Sequence, residues 1–279
     1  MCISRDQNQI DSKNAQFWNE LCGSVLARSI DIREVSAENL RRFDYAYMAL
    51  YPYLWDYVVK EELEGKKILE IGLGYGTLFG QVLASSDCEY YGLDIAEGPV
   101  AMMRYRLTQL GRGGQERVQA GSVLDTPYED SSFDYVYSIG CLHHTGNLPK
   151  AVSEVYRLLK TGGKAIVMLY NRHSFRQWVH IPLIRLCGVF LKSRQYLDSA
   201  ERVRALYDTN AQGDTAPHTV YISPTEAKHL FRDFSQIKID IRNFDNYTLF
   251  RSRIGLRREW LLNNVGRIIG LDMYITARK

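Results

Sequence analysis

The sequence predicts an α/β fold built on a mostly parallel β-sheet with helices on both faces. Short apolar segments alternate with helical ones from Lys66 to Tyr170, and glycines occur where the first apolar segment gives way to a helix. The composition, 46% hydrophobic and 24% charged over 279 residues, lies within the globular range. It excludes wholesale disorder and a fibrous repeat.

The chain contains no apolar run long enough to predict a membrane-spanning helix. The best candidate, residues 181–191, is short and includes Pro182 and Arg185. The N-terminus lacks the apolar core of a secretory signal, so we expect a cytoplasmic protein. The five cysteines are odd in number and include no Cys-x-x-Cys pair, which argues against a disulfide framework and a structural zinc site. They are Cys2, Cys22, Cys88, Cys141 and Cys187.

Residues 1–65 are predicted to form an N-terminal helical lid. Asp11 or Ser12 would cap a helix that runs through Phe17 to Leu21, and Ser36 would cap a second helix. The second helix leads into an aromatic run, residues 43–57, which needs a surface to pack against.

Residues 66–170 are predicted to form the core. With the C-terminal part, the chain supplies seven strands, at residues 67–71, 89–94, 117–120, 133–138, 164–170, 236–241 and 272–277. Helices are predicted at residues 77–85, 100–110 and 148–159, the last of them terminated by Thr161-Gly162-Gly163.

The alternation stops after Tyr170, so residues 171–223 are predicted to be an inserted cap with one short strand at 219–221. Residues 224–279 return to the core sheet through a helix at 224–234 and a basic, helical-looking segment at 254–269. From residue 242 to the end there are eight basic residues against three acidic ones, and the net charge of the whole chain is +3. This distribution fits a solvated face better than a polyanion site, so we expect no nucleic-acid partner.

The strongest motif is Glu70-Ile71-Gly72-Leu73-Gly74-Tyr75-Gly76, placed where a strand gives way to a helix. Glycines at such a turn let a ligand approach the backbone, which indicates a nucleotide-like ligand. The dinucleotide fingerprint is incomplete in both frames, because its third glycine position holds Thr77 or Phe79. Asp94 ends the next strand, where a carboxylate can accept hydrogen bonds from both ribose hydroxyls. The pattern therefore predicts adenosine binding.

Further motifs follow in order at residues 121–128, 132–136, 140–145 and 154–163. With the glycine turn and Asp94, they make residues 66–170 similar to the class I S-adenosylmethionine-dependent methyltransferases, in the type 11 branch typified by ubiquinone-biosynthesis enzymes. The segment Phe17-Trp18-Asn19 also resembles the lid of some relatives. This resemblance implies a Rossmann-like seven-stranded sheet and S-adenosyl-L-methionine as methyl donor, with S-adenosyl-L-homocysteine as product.

The resemblance also implies roles for individual residues. Glu70 and the glycines would hold the methionine end of the cofactor, and Asp94 the ribose. The aspartate that commonly binds the adenine amino group is replaced here by Ser122, so the contact falls to a hydroxyl or to neighbouring backbone. The predicted cofactor-binding residues are Glu70, Gly72, Gly74, Gly76, Asp94, Ser122, Val123 and Ser138.

His144 and His143 follow the fourth strand and are the predicted catalytic residues, as general base near neutral pH; the alternative is that one caps the following helix. The predicted substrate-contacting residues are Tyr170, Arg172, His173 and Trp18. The cations of the insertion, Arg172, His173, Arg176 and His180, indicate an anionic or polar acceptor. Instead of covering the acceptor pocket, residues 178–191 could form a membrane-surface or dimer helix. No metal is expected.

We expect methyl transfer to an oxygen of a small metabolite, natural product or sugar-like compound. One alternative is a noncatalytic adenosine-binding or scaffold protein with the same fold. A more remote alternative is an NAD-dependent oxidoreductase, which the incomplete fingerprint disfavours. Whether the chain forms a homodimer is left open by the sequence.

Overall fold

The structure is a computed structural model that describes residues 5–20, 25–58, 60–190, 200–245, 248–249, 254–255 and 258–279. Seven of its strands form one sheet in the order β3-β2-β1-β4-β5-β9-β6, with β9 antiparallel to both neighbours. Their bounds are β1 Lys67–Ile71, β2 Glu89–Asp94, β3 Val118–Ala120, β4 Phe133–Ile139, β5 Leu159–Tyr170, β6 Ser235–Arg242 and β9 Asp272–Arg278. A separate two-stranded ribbon pairs β7 Thr248–Leu249 with β8 Ile254–Gly255. The predicted sheet is confirmed.

The helices cover both faces of this sheet. They are α1 Arg5–Trp18, α2 Val25–Ser29, α3 Ala37–Leu50, α4 Lys60–Leu63, α5 Thr77–Val82, α6 Glu97–Gln109, α7 Leu148–Leu158, α8 Ile181–Phe190, α9 Ala200–Ala205, α10 Pro224–Leu230, α11 Arg258–Asn263 and α12 Gly266–Ile269. A π-helical turn, Arg176–His180, precedes α8. Within the described ranges, no helix is long and apolar enough to span a bilayer.

The order of the strands places the ends of β1, β2 and β4 side by side. The chain runs from β1 outward through β2 to β3, then returns to the other side of β1 with β4 and continues to β5. Ligands of such sheets bind where this reversal opens a crevice beyond the carboxyl ends of the strands. The loops after Ile71, Asp94 and Ile139 therefore meet at one edge.

The predicted helix caps were right in one case and wrong in another. Ser36 caps α3, its side chain accepting a hydrogen bond from the Asn39 backbone amide. Asp11 and Ser12 lie inside α1 rather than before it, and the Asp11 carboxylate accepts a bond from Gln7, one turn earlier. Of the predicted segment, Leu21 lies outside the described residues, as do Cys2 and Cys22.

Three segments differ from the sequence prediction. Residues 161–163 do not end α7 but lie within β5, because Gly162 and Gly163 exchange backbone hydrogen bonds with Lys279. Residues 219–221 form no strand; only the neighbouring Ile222 makes an isolated bridge, to Asn171. The predicted helical segment at 254–269 begins as strand β8 instead, and residues 256–257 lie outside the described ranges.

The predicted aromatic run packs against the sheet and the glycine turn. Tyr57 stacks on Tyr274 of β9 with ring centroids 4.4 Å apart, and Phe43 stacks on Tyr75 at 3.9 Å. Such contacts between aromatic side chains bury large areas and add specific geometry. The N-terminal helices are thereby fixed over one end of the sheet.

A buried ion pair reinforces this packing. The Arg106 guanidinium on α6 donates two hydrogen bonds to the Asp44 carboxylate on α3, at 2.9 and 2.6 Å, and a third to the Tyr75 carbonyl at 2.6 Å. Their side chains are only 9% and 14% exposed. Since every charged atom has a partner, the pair is compatible with burial, but neither partner is tolerated alone.

We predict that Asp44→Ala destabilises the protein by about 3–5 kcal/mol, because it leaves the Arg106 guanidinium buried without its counter-ion. The measurement is the free energy of unfolding from a denaturant titration. Arg33→Ala is the control, since it breaks an ion pair to Asp31 whose side chains are 84% and 74% exposed and should change stability little. Equal effects of the two substitutions would contradict the role of the buried pair.

Candidate active site

A cavity opens at the edge where β1, β2 and β4 end. It measures about 1580 Å³, including its opening to solvent. The glycine turn, the end of β2, the loop after β4, α1 and the insertion all contribute to its wall. Of the predicted site residues, it brings together Trp18, Glu70, Gly72, Gly74, Asp94, Ser122, Val123 and His144.

The glycine turn has the left-handed backbone that its sequence predicts. Gly72 has φ +83°, and a Cβ added there would lie 2.4 Å from the Cβ of Cys141, on the loop after β4. Gly74 has φ +52°, and a Cβ there would meet nothing within 4 Å. Gly76, at φ +63°, precedes α5 and faces Met103 rather than the cavity. Gly72 thus permits close packing, whereas Gly74 leaves backbone open to a ligand.

Asp94 ties this turn to the end of β2. Its two carboxylate oxygens accept hydrogen bonds from the backbone amides of Leu73 at 2.7 Å and Ala96 at 2.9 Å. Burial raises the pKa of Asp94 to about 6, and these backbone amides oppose the shift. Because each carboxylate oxygen can accept more than one bond, Asp94 retains capacity for ribose hydroxyls.

Glu70 lies deeper in the cavity. It is 7% exposed, and its carboxylate accepts a 2.5 Å hydrogen bond from the Tyr90 hydroxyl. Burial raises its pKa to about 8; the Tyr90 bond opposes this shift and the neighbouring Asp94 adds to it. A bound cation beside Glu70 would favour the ionised carboxylate.

The two predicted serines differ in position. Ser122 and Val123 line the cavity beside Asp94, and the Ser122 hydroxyl oxygen accepts a 3.3 Å bond from the Leu124 amide. Ser138 is fully buried within the sheet and does not line the cavity, and its hydroxyl donates to the Ile71 carbonyl at 3.0 Å. Ser138 therefore does not reach a ligand in the cavity directly.

Helix α1 closes one side of the cavity. Asp11, Asn14 and Trp18 all line it, and their spacing of three and four residues puts them on one helix face. The buried Asn14 amide donates to the His144 carbonyl at 2.8 Å, and the Trp18 ring packs 5.0 Å from the His144 ring. The same spacing in the sequence would have identified Asp11 and Asn14 beside Trp18.

His144 is the buried imidazole of the cavity wall. Its Nδ1 lies 2.8 Å from the His218 carbonyl oxygen, which fixes Nδ1 as the protonated nitrogen of the neutral ring. Its Nε2 lies 3.7 Å from the carboxylate of Asp208, in the insertion. Burial lowers the pKa of His144, while the Asp208 charge and the His218 carbonyl oppose that change. Neither histidine caps α7, because Asn147 does so.

His143 and Tyr170 form a layer behind His144. His143 is fully buried, and its ring lies 4.1 Å from that of Tyr170. The Tyr170 hydroxyl donates to the Asp208 carboxylate at 3.0 Å. Neither side chain lines the cavity, so neither reaches a ligand there directly.

Arg172 and His173 point elsewhere. Arg172 pairs with Glu226 of α10 at 2.7 Å, and the His173 ring packs on Trp178 at 4.7 Å. Neither side chain lines the cavity, so their charge does not favour an anionic acceptor there. The insertion instead contributes Thr209 and Asn210, next to Asp208. No spacing in the sequence marks these three residues.

A family model described as a methyltransferase domain matches residues 69–167. Those residues carry the glycine turn, Asp94 and His144 described above. They form a class I S-adenosylmethionine-dependent methyltransferase domain of the type 11 branch.

Several curated proteins resemble this methyltransferase domain. Phosphoethanolamine N-methyltransferase 2 of Caenorhabditis elegans is 31% identical over 108 residues, which cover 39% of this chain and 24% of that protein. Demethylmenaquinone methyltransferase of Symbiobacterium thermophilum is 25% identical over 63% of this chain and 70% of its own. 24-methylenesterol C-methyltransferase 2 of Oryza sativa subsp. japonica is 30% identical over 55% of this chain and 37% of its own. The chain thus spans well under half the length of the first and third.

Solved structures match over most of the chain. An S-adenosylmethionine-dependent methyltransferase from Mesorhizobium loti superposes with a TM-score of 0.53 at 16% identity, covering 83% of this chain and 98% of that one. A second such methyltransferase, from Methanosarcina mazei, superposes with a TM-score of 0.50 at 19% identity and covers 82% of this chain and 98% of its own. At such identities these matches show the fold of the methyltransferase domain alone.

The residues of the cavity fit S-adenosylmethionine. Asp94 offers carboxylate lone pairs to a ribose, Glu70 a counter-charge to an ammonium group, and Gly74 an open backbone between them. Ile95, Pro99 and Val123 supply an apolar wall beside Ser122 at the adenine end.

We predict that the affinity for S-adenosylmethionine rises between about pH 5 and about pH 8. Below their raised pKa values of about 6 and about 8, Asp94 and Glu70 are protonated and carry no charge for the cationic cofactor. Binding must then release protons, which weakens the affinity by at most about tenfold per pH unit for each proton. Titration calorimetry across this range measures the dissociation constant.

The Glu70→Gln variant should bind S-adenosylmethionine more weakly. It should also lose the part of the increase in affinity nearest pH 8, because the amide does not ionise. Glu89→Gln is the control, since Glu89 is exposed at the opposite end of β2. An affinity that stays constant or falls as pH rises would refute the assignment of Glu70 to the cofactor.

Proposed function

We propose that the chain transfers a methyl group from S-adenosylmethionine to a hydroxyl oxygen of a small, neutral and largely apolar molecule. The charge of the cavity carries this proposal. Four carboxyl groups line it, and its described lining includes no lysine or arginine. This balance suits a cationic cofactor and disfavours an anionic acceptor. The four are Asp11, Glu20, Glu70 and Asp94.

The walls around the remaining space support an apolar acceptor. Phe17 and Trp18 of α1 stand on one side, and Phe43, Tyr47 and Leu54 on another. Ligand sites of this kind are mostly apolar with a few placed polar groups. The names of the relatives cover an amine, a quinone and a sterol, so similarity supports a small-molecule acceptor without choosing among them.

His144 is proposed as the general base. Since Nδ1 donates to the His218 carbonyl, Nε2 carries the lone pair that would take the proton of an acceptor hydroxyl. Nε2 is buried in the structure, so the acceptor reaches it only if the cavity wall moves. The Asp208 carboxylate, 3.7 Å from Nε2, then stabilises the imidazolium that forms. The bound cofactor supplies an already activated methyl group, so positioning of the acceptor by α1 and the insertion provides much of the acceleration.

We predict that His144→Ala lowers turnover by about 100- to 10,000-fold while cofactor affinity changes only a few fold. The assay follows a labelled methyl group from S-adenosylmethionine into a panel of phenolic and other hydroxylated acceptors. His229→Ala is the control, because His229 is exposed on α10. Unchanged turnover in His144→Ala would show that the reaction proceeds by positioning alone.

The pH profile tests Asp208 separately. Asp208→Asn removes a charge that opposes the lowering of the His144 pKa, so the acid limb of the profile should move to lower pH while turnover falls. An acid limb that moves to higher pH would contradict the pairing. Cofactor binding without methyl transfer to any acceptor would favour the noncatalytic adenosine-binding alternative, and tight binding of NAD would favour the oxidoreductase.

A further inference from the structure

The insertion carries an apolar patch, formed by Trp178, Leu183, Leu186 and Val189. These side chains are 59%, 54%, 52% and 62% exposed. Nine large hydrophobic side chains are exposed in the described parts of the chain, and four of them fall within these twelve residues. Scattered apolar side chains need no explanation, whereas a concentrated group marks an interaction surface.

The patch is built on a helix anchored by its other side. Ile181 and Gly188 are buried, while Leu183, Leu186 and Val189 recur every three residues on the outward side of α8. One face of α8 therefore packs on the protein, while the opposite face presents leucine and valine to solvent.

The sequence around this patch is rich in basic residues. Between residues 171 and 197 the sequence holds five lysine or arginine residues and no aspartate or glutamate. One of them, Arg185, is exposed on α8 between Leu183 and Leu186. The ion pair of Arg176 with Asp245, and the Phe175–Phe244 ring contact at 5.4 Å, join this region to the basic C-terminal part. Since Arg172 and Arg176 already pair with Glu226 and Asp245, attraction of an anionic partner depends on the exposed Arg185 and on the basic surplus of this stretch of sequence.

Two other uses of the patch fit less well. A lid over the cavity would have to line it, and none of the described cavity-lining residues falls between 172 and 190. A symmetric dimer through the patch would bring Arg185 close to its own copy, and like charges at an interface are unfavourable. An anionic lipid surface accepts both the apolar side chains and the cations.

We propose that α8 and the turn before it bind the surface of an anionic membrane, with the apolar patch entering the interface and Arg185 among the lipid headgroups. Trp178 suits this boundary because its ring is apolar and its N–H is polar. The turn before α8 also contacts the residues that precede Asp208. Arg176 donates to the Leu206 carbonyl at 2.7 Å, and Gln177 donates to the Tyr207 hydroxyl at 3.2 Å. This proposal does not depend on the identity of the acceptor.

The test is co-sedimentation of the full chain with two kinds of vesicle, phosphatidylcholine alone and phosphatidylcholine mixed equally with phosphatidylglycerol. The wild-type chain should bind the mixed vesicles, and less so as salt is raised. Leu183→Glu with Leu186→Glu should reduce that binding by about tenfold or more, because two apolar side chains that would enter the lipid interface become charged. The matched control is Val25→Glu with Tyr45→Glu, two exposed apolar side chains outside the patch.

Titration calorimetry with S-adenosylmethionine shows whether each variant retains its fold. If a glutamate variant does not retain its fold, Trp178→Phe provides a milder probe. Brominated lipid should quench part of the tryptophan fluorescence of the wild-type chain, and Trp178→Phe should remove that quenching while the chain still sediments with vesicles. Absence of wild-type binding, or equal binding by both double variants, overturns the proposal. A dimer that the patch variant alone dissociates, without vesicle binding by the wild type, would assign the patch to a second copy instead.

Discussion

The guanidinium of Arg106 connects the parts of the molecule on which the cavity depends. It holds the Tyr75 carbonyl of the glycine turn and the Asp44 carboxylate of α3 at the same time. Phe43, next to Asp44, stacks on the Tyr75 ring. The turn that would receive the cofactor and the aromatic helix that walls the cavity are therefore positioned by one residue, and a change in either should affect the other.

The second organising feature is the placement of two buried carboxyl groups that form no ion pair with any other described residue. Glu70 and Asp94 both have raised pKa values because burial disfavours their charge. Such groups lower stability when ionised, and they regain favourable interactions when a cation arrives. Across the cavity, His144 and Asp208 combine an imidazole of lowered pKa with a carboxyl group of raised pKa, since burial acts on both. The two walls are thus suited to different tasks, binding a cation and accepting a proton.

Most of the sheet and the cofactor wall could be predicted from the sequence, because they depend on local patterns. The alternation of strands and helices, the glycines and Asp94 all lie within short, ordered stretches. The residues that sequence reasoning missed depend on contacts between distant segments: Arg106 meets Asp44 across 62 residues, and Asp208 meets Tyr170 across 38. For the same reason Arg172 was assigned to the acceptor, although its partner is Glu226, 54 residues away. Its position after β5 was predicted correctly, but position alone did not give the direction of the side chain.

The most direct test of this account is a crystal structure of the chain with S-adenosylhomocysteine. We predict that the ribose hydroxyls donate to Asp94, that the amino group lies beside Glu70, and that the sulfur faces the part of the cavity bounded by Trp18 and His144. A ligand bound in the cavity with its ribose away from Asp94, or with its sulfur directed away from His144, would contradict the proposed arrangement of cofactor and base.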